Sequence, residues 1–154
     1  MDMPKVGPEH ERLRAFAGEW EGAEQLFPSA WGPGGVARGR MSFREDLSGF
    51  ALIQDYVEEK DSRVTFRGHG VFTIDPVSKE VLWYWFDSMG FPPEAPARGT
   101  FEGDVLTLTR ESPRGASRYV YRITKDQCEF SIANKLTGEP DFKPFMSGTY
   151  SRPD

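Results

Sequence analysis

The chain has one cysteine, Cys128, among 154 residues, and two histidines. No internal disulfide can form. One thiol with His10 and His69, far apart in sequence, gives no recognisable metal-ligand spacing. Lysines and arginines number 19 against 24 acids, a net charge of −5. Nucleic-acid binding needs clustered cations. The only basic cluster, Arg38, Arg40 and Arg44, alternates along a strand and reads as its solvated face. No apolar run approaches the ~20 residues of a membrane-crossing helix. The opening Met1-Asp2-Met3-Pro4 has neither the basic nor the apolar part of a secretory signal. The expectation is a protein of the reducing cytoplasm that engages neither nucleic acid nor membrane. There is no Gly-x-Ser-x-Gly and no phosphate loop. Arg67-Gly68-His69-Gly70 lies inside a strand with no helix after it, so it is not a dinucleotide fingerprint.

Aromatics are abundant at 14%, and 16 glycines and 12 prolines supply many turns. The length suits one domain, 1–154. Residues 1–8 read as a tail leading into a short helix over 9–17. Pro8 and two acids stand at its first turn, Gly18 stops it, and Leu13, Phe16 and Ala17 make its apolar side. From Gly18 to Arg152, β-branched and aromatic segments alternate with turn signals such as Ser48-Gly49, Asp61-Ser62, Asp75-Pro76 and Thr137-Gly138. Strands are expected near 18–27, 36–46, 50–60, 64–75, 80–88, 96–102, 104–112, 117–125, 129–136 and 142–152. The fold class is therefore all-β: an antiparallel up-and-down, lipocalin-like β-barrel of about ten strands with a short N-terminal helix, a closure that removes exposed edges.

Hairpin geometry predicts which side chains point inward. Pairing Lys60 with Arg63, Asp75 with Glu80 and Glu45 with Ala51 sets Asp55 opposite Gly68 and Ile53 opposite Gly70. It also sets Gly70 opposite Trp85 and Gly68 opposite Asp87. One face then carries Met41, Phe43, Ile53, Val57, Phe66, Phe72, Trp83 and Trp85. The other carries the arginines with Gln54, Tyr56, Glu58 and His69. Binary patterning puts the apolar face inside. Tyr84 and Phe86 point outward and need cover from a loop or from a partner subunit, and a homodimer is the expectation. Tyr119 and Tyr121 form an inward stripe that Phe130, Ile132 and Met146 extend. Two carboxylates, Asp55 and Asp87, fall on the apolar face and flank Gly68, ~9–10 Å apart at the backbone. Such carboxylates must be paired or protonated, and Arg98 is the expected counter-ion.

Phe16-Ala-Gly-Glu-Trp-Glu-Gly22 resembles the helix and Gly-x-Trp strand that open the calycins. A wider set, spread over residues 9–152, resembles the bacterial family filed as domain of unknown function 1579. It comprises Glu9-His-Glu11, Gln54-Asp-Tyr56, Gly68-His-Gly-Val-Phe72, Tyr84-Trp-Phe-Asp-Ser88, Ala97-Arg-Gly99 and Met146 with Gly148 and Tyr150. That resemblance implies a lipocalin-like barrel and no assigned activity. A more distant likeness in shape is to nitrobindin, which holds haem through a histidine near its C-terminus. The last strand here, Phe142 to Arg152, has no histidine, so no haem or other cofactor is expected.

Three functions remain open to the sequence. The first is a barrel that binds a small hydrophobic molecule among Met41, Phe43, Ile53, Phe72, Trp83, Trp85 and Tyr121, oriented by Asp55, Asp87 and Arg98. The second is a cofactor-free isomerase, cyclase or hydratase with Asp55 and Asp87 as acid and base. The third is a barrel filled by its own aromatics that serves as a scaffold or dimer module.

Overall fold

A computed structural model of the chain describes residues 2–153. The helix α1, Pro8–Leu13, runs into a 3-10 turn at Arg14–Phe16. Ten strands follow: β1 Gly18–Leu26, β2 Gly35–Asp46, β3 Ala51–Lys60, β4 Arg63–Ile74, β5 Val81–Asp87, β6 Ala97–Glu102, β7 Val105–Ser112, β8 Gly115–Ile123, β9 Gln127–Leu136 and β10 Lys143–Ser151. They form a closed antiparallel barrel in which each strand pairs with its neighbours in sequence and β1 pairs with β10. The strand ends expected from turn signals lie within two residues of those observed.

The helix and the even-to-odd connections gather at one end of the barrel. Phe16, buried at 0% exposure, is pushed into that end. Its ring meets Phe43 at 5.2 Å, Tyr121 at 5.2 Å and Phe72 at 6.0 Å, aromatic pairs that stabilise beyond their buried area. Trp20 anchors the same plug by donating Nε1–H to the Phe16 carbonyl at 2.8 Å. Arg152, just past β10, donates to the Ala15 and Ala17 carbonyls and stacks on the Trp20 ring at 4.0 Å. His10 belongs to the helix cap: the Gly7 N–H donates to its Nδ1 at 3.0 Å, and its ring packs edge-on against Phe50.

The register corrects one strand. Lys60 does pair with Arg63, through a turn in which Asp61 and Ser62 both have positive φ, as a two-residue hairpin requires. Immediately afterwards the ladder slips: Glu59 pairs with Val64 and Glu58 with Phe66, so Thr65 is an extra residue on β4. This bulge moves Asp55 opposite His69 and Ile53 opposite Val71. On the other side of β3, Asp46 rather than Glu45 meets Ala51. A shift of one residue exchanges the faces of a strand. Ile53, Asp55 and Val57 therefore belong to the outer wall. Gln54 and Tyr56 point inward, at 2% and 7% exposure. The faces of β2, β4 and β5 are as the sequence predicts: Met41, Phe43, Phe72 and Trp83 are buried, while Tyr84 and Phe86 are exposed on the outside.

Candidate functional site

The odd-to-even connections, including loops 27–34 and 88–96, lie at the end opposite the helix. They surround the mouth of a cavity of about 690 Å³, a size typical of small-molecule sites. The lumen is therefore not filled by the chain's own aromatics. Met41, Trp83, Trp85, Tyr121, Phe130 and Met146 are among the residues that line it. Two glycines make room for the indoles. A Cβ at Gly68 would stand 2.1 Å from the Trp85 ring, and one at Gly70 would stand 2.6 Å from Trp83 Nε1. Trp83 stacks on Phe72 at 5.5 Å and meets Tyr119 edge-on at 4.9 Å. The β5–β6 ladder ends at Trp83 and Ala97. Beyond it, the residues of β5 nearest the mouth have no ladder partner on that side, and loop 88–96 lies there instead.

Two polar groups cross the apolar wall. Gln54 is fully engaged: Trp83 Nε1 donates to its Oε1 at 3.2 Å, and its Nε2 donates to the Tyr121 hydroxyl at 3.3 Å. Among the described residues no buried side-chain polar atom lacks a partner, as native interiors require. Glu24 is the second, at 1% exposure. The Tyr56 hydroxyl lies 2.8 and 2.7 Å from its two oxygens, and the Tyr150 hydroxyl donates to Oε2 at 2.5 Å. Gly39 and Gly148 make the space, since a Cβ on either would stand 2.3 Å from Glu24 Oε2 or the Tyr150 hydroxyl. Burial pushes the Glu24 carboxyl up to about 6, against the opposing hydrogen bonds from Tyr150 and Tyr56 and with help from Glu58. Burial, and then the Glu24 charge, hold both phenols well above their ordinary range. Tyr56 also reaches Glu58 at 3.3 Å, and both residues line the cavity. The sequence reading missed Glu24, although Trp20, Gly22 and Glu24 alternate from the Gly-x-Trp motif and so share the inward face.

The predicted site residues separate into three groups. Met41, Trp83, Trp85, Asp87 and Tyr121 line the cavity. Phe43 and Phe72 lie deeper, packed against Phe16 at the closed end. Ile53, Asp55 and Arg98 are outside the lumen. Asp55 pairs with His69 on the outer wall at 2.6 Å, and Arg98 pairs with Asp75 and Glu80 beside the β4–β5 turn. Asp55, Asp87 and Arg98 therefore form no network. Asp87 does stand opposite Gly68. Its Oδ2 accepts from Trp85 Nε1 and its Oδ1 from the Met89 N–H, both at 2.9 Å. Neither histidine lines the cavity: His10 is built into the helix cap and His69 faces outward. Cys128 is buried in the core, and burial pushes its thiol up to about 12, which makes it unreactive.

The sequence matches the family model described as "Protein of unknown function (DUF1579)" over residues 5–152. The chain belongs to this family. No curated protein matches it. Among solved structures, this DUF1579 barrel is similar to Rv2717c of M. tuberculosis, with 16% identity and a TM-score of 0.71, covering 97% of this chain and 100% of that one. It is also similar to the S-type phycobiliprotein lyase CPES of Guillardia theta, with 11% identity and a TM-score of 0.66, covering 94% and 92%. A third structure, EF1p2_mFAP2b bound to DFHBI, has 12% identity and a TM-score of 0.51, covering 94% and 99%. At these identities the likeness is one of fold.

Proposed function

We propose that this DUF1579 protein binds a small, largely apolar molecule with a flat ring system in the barrel lumen. The observation that carries the reading is the cavity of about 690 Å³ walled by Trp83, Trp85, Tyr119 and Phe130. Apolar walls with a few fixed polar groups are the usual make-up of a ligand pocket. Glycines at 68 and 70 that keep the indoles back against the wall support it. So does the occurrence of the same fold in a structure bound to DFHBI. N-phenyl-1-naphthylamine, a neutral fluorescent probe, tests it. The expected result is saturable one-to-one binding with quenching of tryptophan emission. Ile132→Trp, which places an indole in the lumen, should weaken that binding at least about tenfold at an unchanged urea midpoint. Absence of saturable binding, or binding indifferent to Ile132→Trp, would remove the reading. A second copy covering Tyr84 and Phe86 belongs to the same proposal, and a monomer by light scattering would remove that part alone.

One observation favours a catalytic variant of the site. The Tyr56 hydroxyl sits between Glu24 and Glu58 at the cavity wall, a carboxyl–phenol pair able to move a proton. It replaces Asp55 and Asp87 as the candidate acid–base pair. Deuterium exchange into the enolisable ketone 2-tetralone should then be accelerated by the protein and lost in Tyr56→Phe with probe binding retained. Equal exchange with and without protein would exclude the variant.

A further inference from the structure

The mouth of the cavity is polar on one wall in a way the binding reading does not use. Arg110 on β7, Ser117 on β8 and Asn134 on β9 stand directly opposite one another across three adjacent strands. They form one inward row, with neighbours about 5 Å apart. The next row down is Leu108, Tyr119 and Ile132, and the one below it is Leu106, Tyr121 and Phe130. The lumen therefore changes from apolar to polar in a single step, and Arg110, Ser117 and Asn134 all line it.

Arg110 is half-buried and takes part in none of the ion pairs among the described residues, which engage Arg14, Arg38, Arg40, Arg44, Arg98, Arg114 and Arg122. The acids of the mouth are already occupied. Asp87 accepts from Trp85 and Met89, Glu94 pairs with Arg114, and Glu58 accepts from Tyr56 and Thr65. Beside Arg110, the Ser117 hydroxyl donates to Asn134 Oδ1 at 2.8 Å. That bond leaves the amide N–H₂ of Asn134, a cavity-lining residue, free to donate. A guanidinium and an amide in one row, with no acid to satisfy them, suit an anion.

We propose that the molecule bound in the lumen carries an anionic head group, of the carboxylate or sulfonate kind. The head group sits on Arg110 and Asn134, and the apolar body lies against Tyr119, Trp83 and Phe130. This rests on the binding reading above and adds the charge and the orientation of the ligand: acid at the mouth, ring system inward.

Two probes with one ring system separate the parts. 8-Anilinonaphthalene-1-sulfonate carries the acid, and N-phenyl-1-naphthylamine lacks it. In the full-length protein, Arg110→Gln should weaken the sulfonate about tenfold or more and leave the neutral probe within about twofold. Arg110→Lys should recover part of the loss, and Arg122→Gln on the outer wall, outside the cavity lining, should change neither probe. Equal loss of both probes in Arg110→Gln would make Arg110 a structural residue and overturn the proposal. Unchanged sulfonate binding would overturn it as well. If the neutral probe fails to bind the unaltered protein, the binding reading itself falls, a different outcome from a neutral probe that binds and a sulfonate that ignores Arg110.

Discussion

The two ends of the barrel are built from the same ten strands and differ in what fills them. At the helix end, Phe16, Phe43, Phe72, Leu52 and Leu106 close the lumen with almost no exposed surface. At the mouth, the inward positions pass to Tyr56, Glu58, Asp87, Arg110 and Asn134. The rim carries Trp31, Met89, Phe91 and Leu136, more than half exposed. One end is a core, dense and dry. The other gives up that packing to keep a space open. Stability and ligand recognition are thereby placed in different halves of one sheet, and a change in one half should read differently from a change in the other.

The largest effect should come from breaking the plug. Phe16→Ala removes a ring held by four aromatic neighbours. It should cost about 3–5 kcal/mol in urea unfolding. The folded protein should still bind N-phenyl-1-naphthylamine nearly as before; affinity lost in step with stability would show that the ends are not separable.

Glu24 sharpens the comparison midway along the wall. Its folded-state pKa, about 6, lies above the ordinary 4.5. The folded protein thus holds the proton more tightly than the unfolded chain. This contribution to stability is complete below pH 4.5 and is lost as the pH rises through 6, by about 2 kcal/mol. Glu24→Gln should flatten that slope in urea midpoints measured from pH 4 upward, and an unchanged slope would assign it to other groups.

A smaller effect, and one of affinity, is expected at the mouth. Gly68→Ala would put a methyl 2.1 Å from the Trp85 ring and turn the indole into the lumen. Probe affinity should fall about tenfold with a stability loss of about 1 kcal/mol. The smallest effect belongs to neither end. His69→Ala breaks an exposed pair with Asp55 on the outer wall, and unfolding should change by less than about 0.5 kcal/mol.

The sequence made the barrel legible because turn residues punctuate it so regularly. Glycine, proline and Asx pairs mark nearly every strand end, and the strict alternation of Met41-Ser-Phe43 and Val81-Leu-Trp-Tyr-Trp85 fixes two walls. Strand β3 defeated the same logic. Thr65 looks like any strand residue, yet it is the bulge that turns Gln54 and Tyr56 inward and Ile53 and Asp55 outward. A polar-looking face became the lumen face because Gln54 finds Trp83 and Tyr121, and Tyr56 finds Glu24, partners from distant strands that no local pattern displays. Arg98 was misplaced for a related reason: its carboxylate partners, Asp75 and Glu80, lie in the turn between β4 and β5. The inward row at the mouth was within reach, since Arg110 shares parity with Leu106 and Leu108. It takes the observed pairing of β7, β8 and β9 to show Ser117 and Asn134 beside it.

Closure through β1 and β10 has a consequence for how the protein is made. During synthesis the first strand leaves the ribosome early and waits, its outer margin bare, until the final nine-residue strand emerges to cover it. Arg152, the latch on the helix, follows that strand. A chain stalled or clipped before that point would carry two open margins, each able to recruit another chain. Pairing of β1 with β10 seals both in one event.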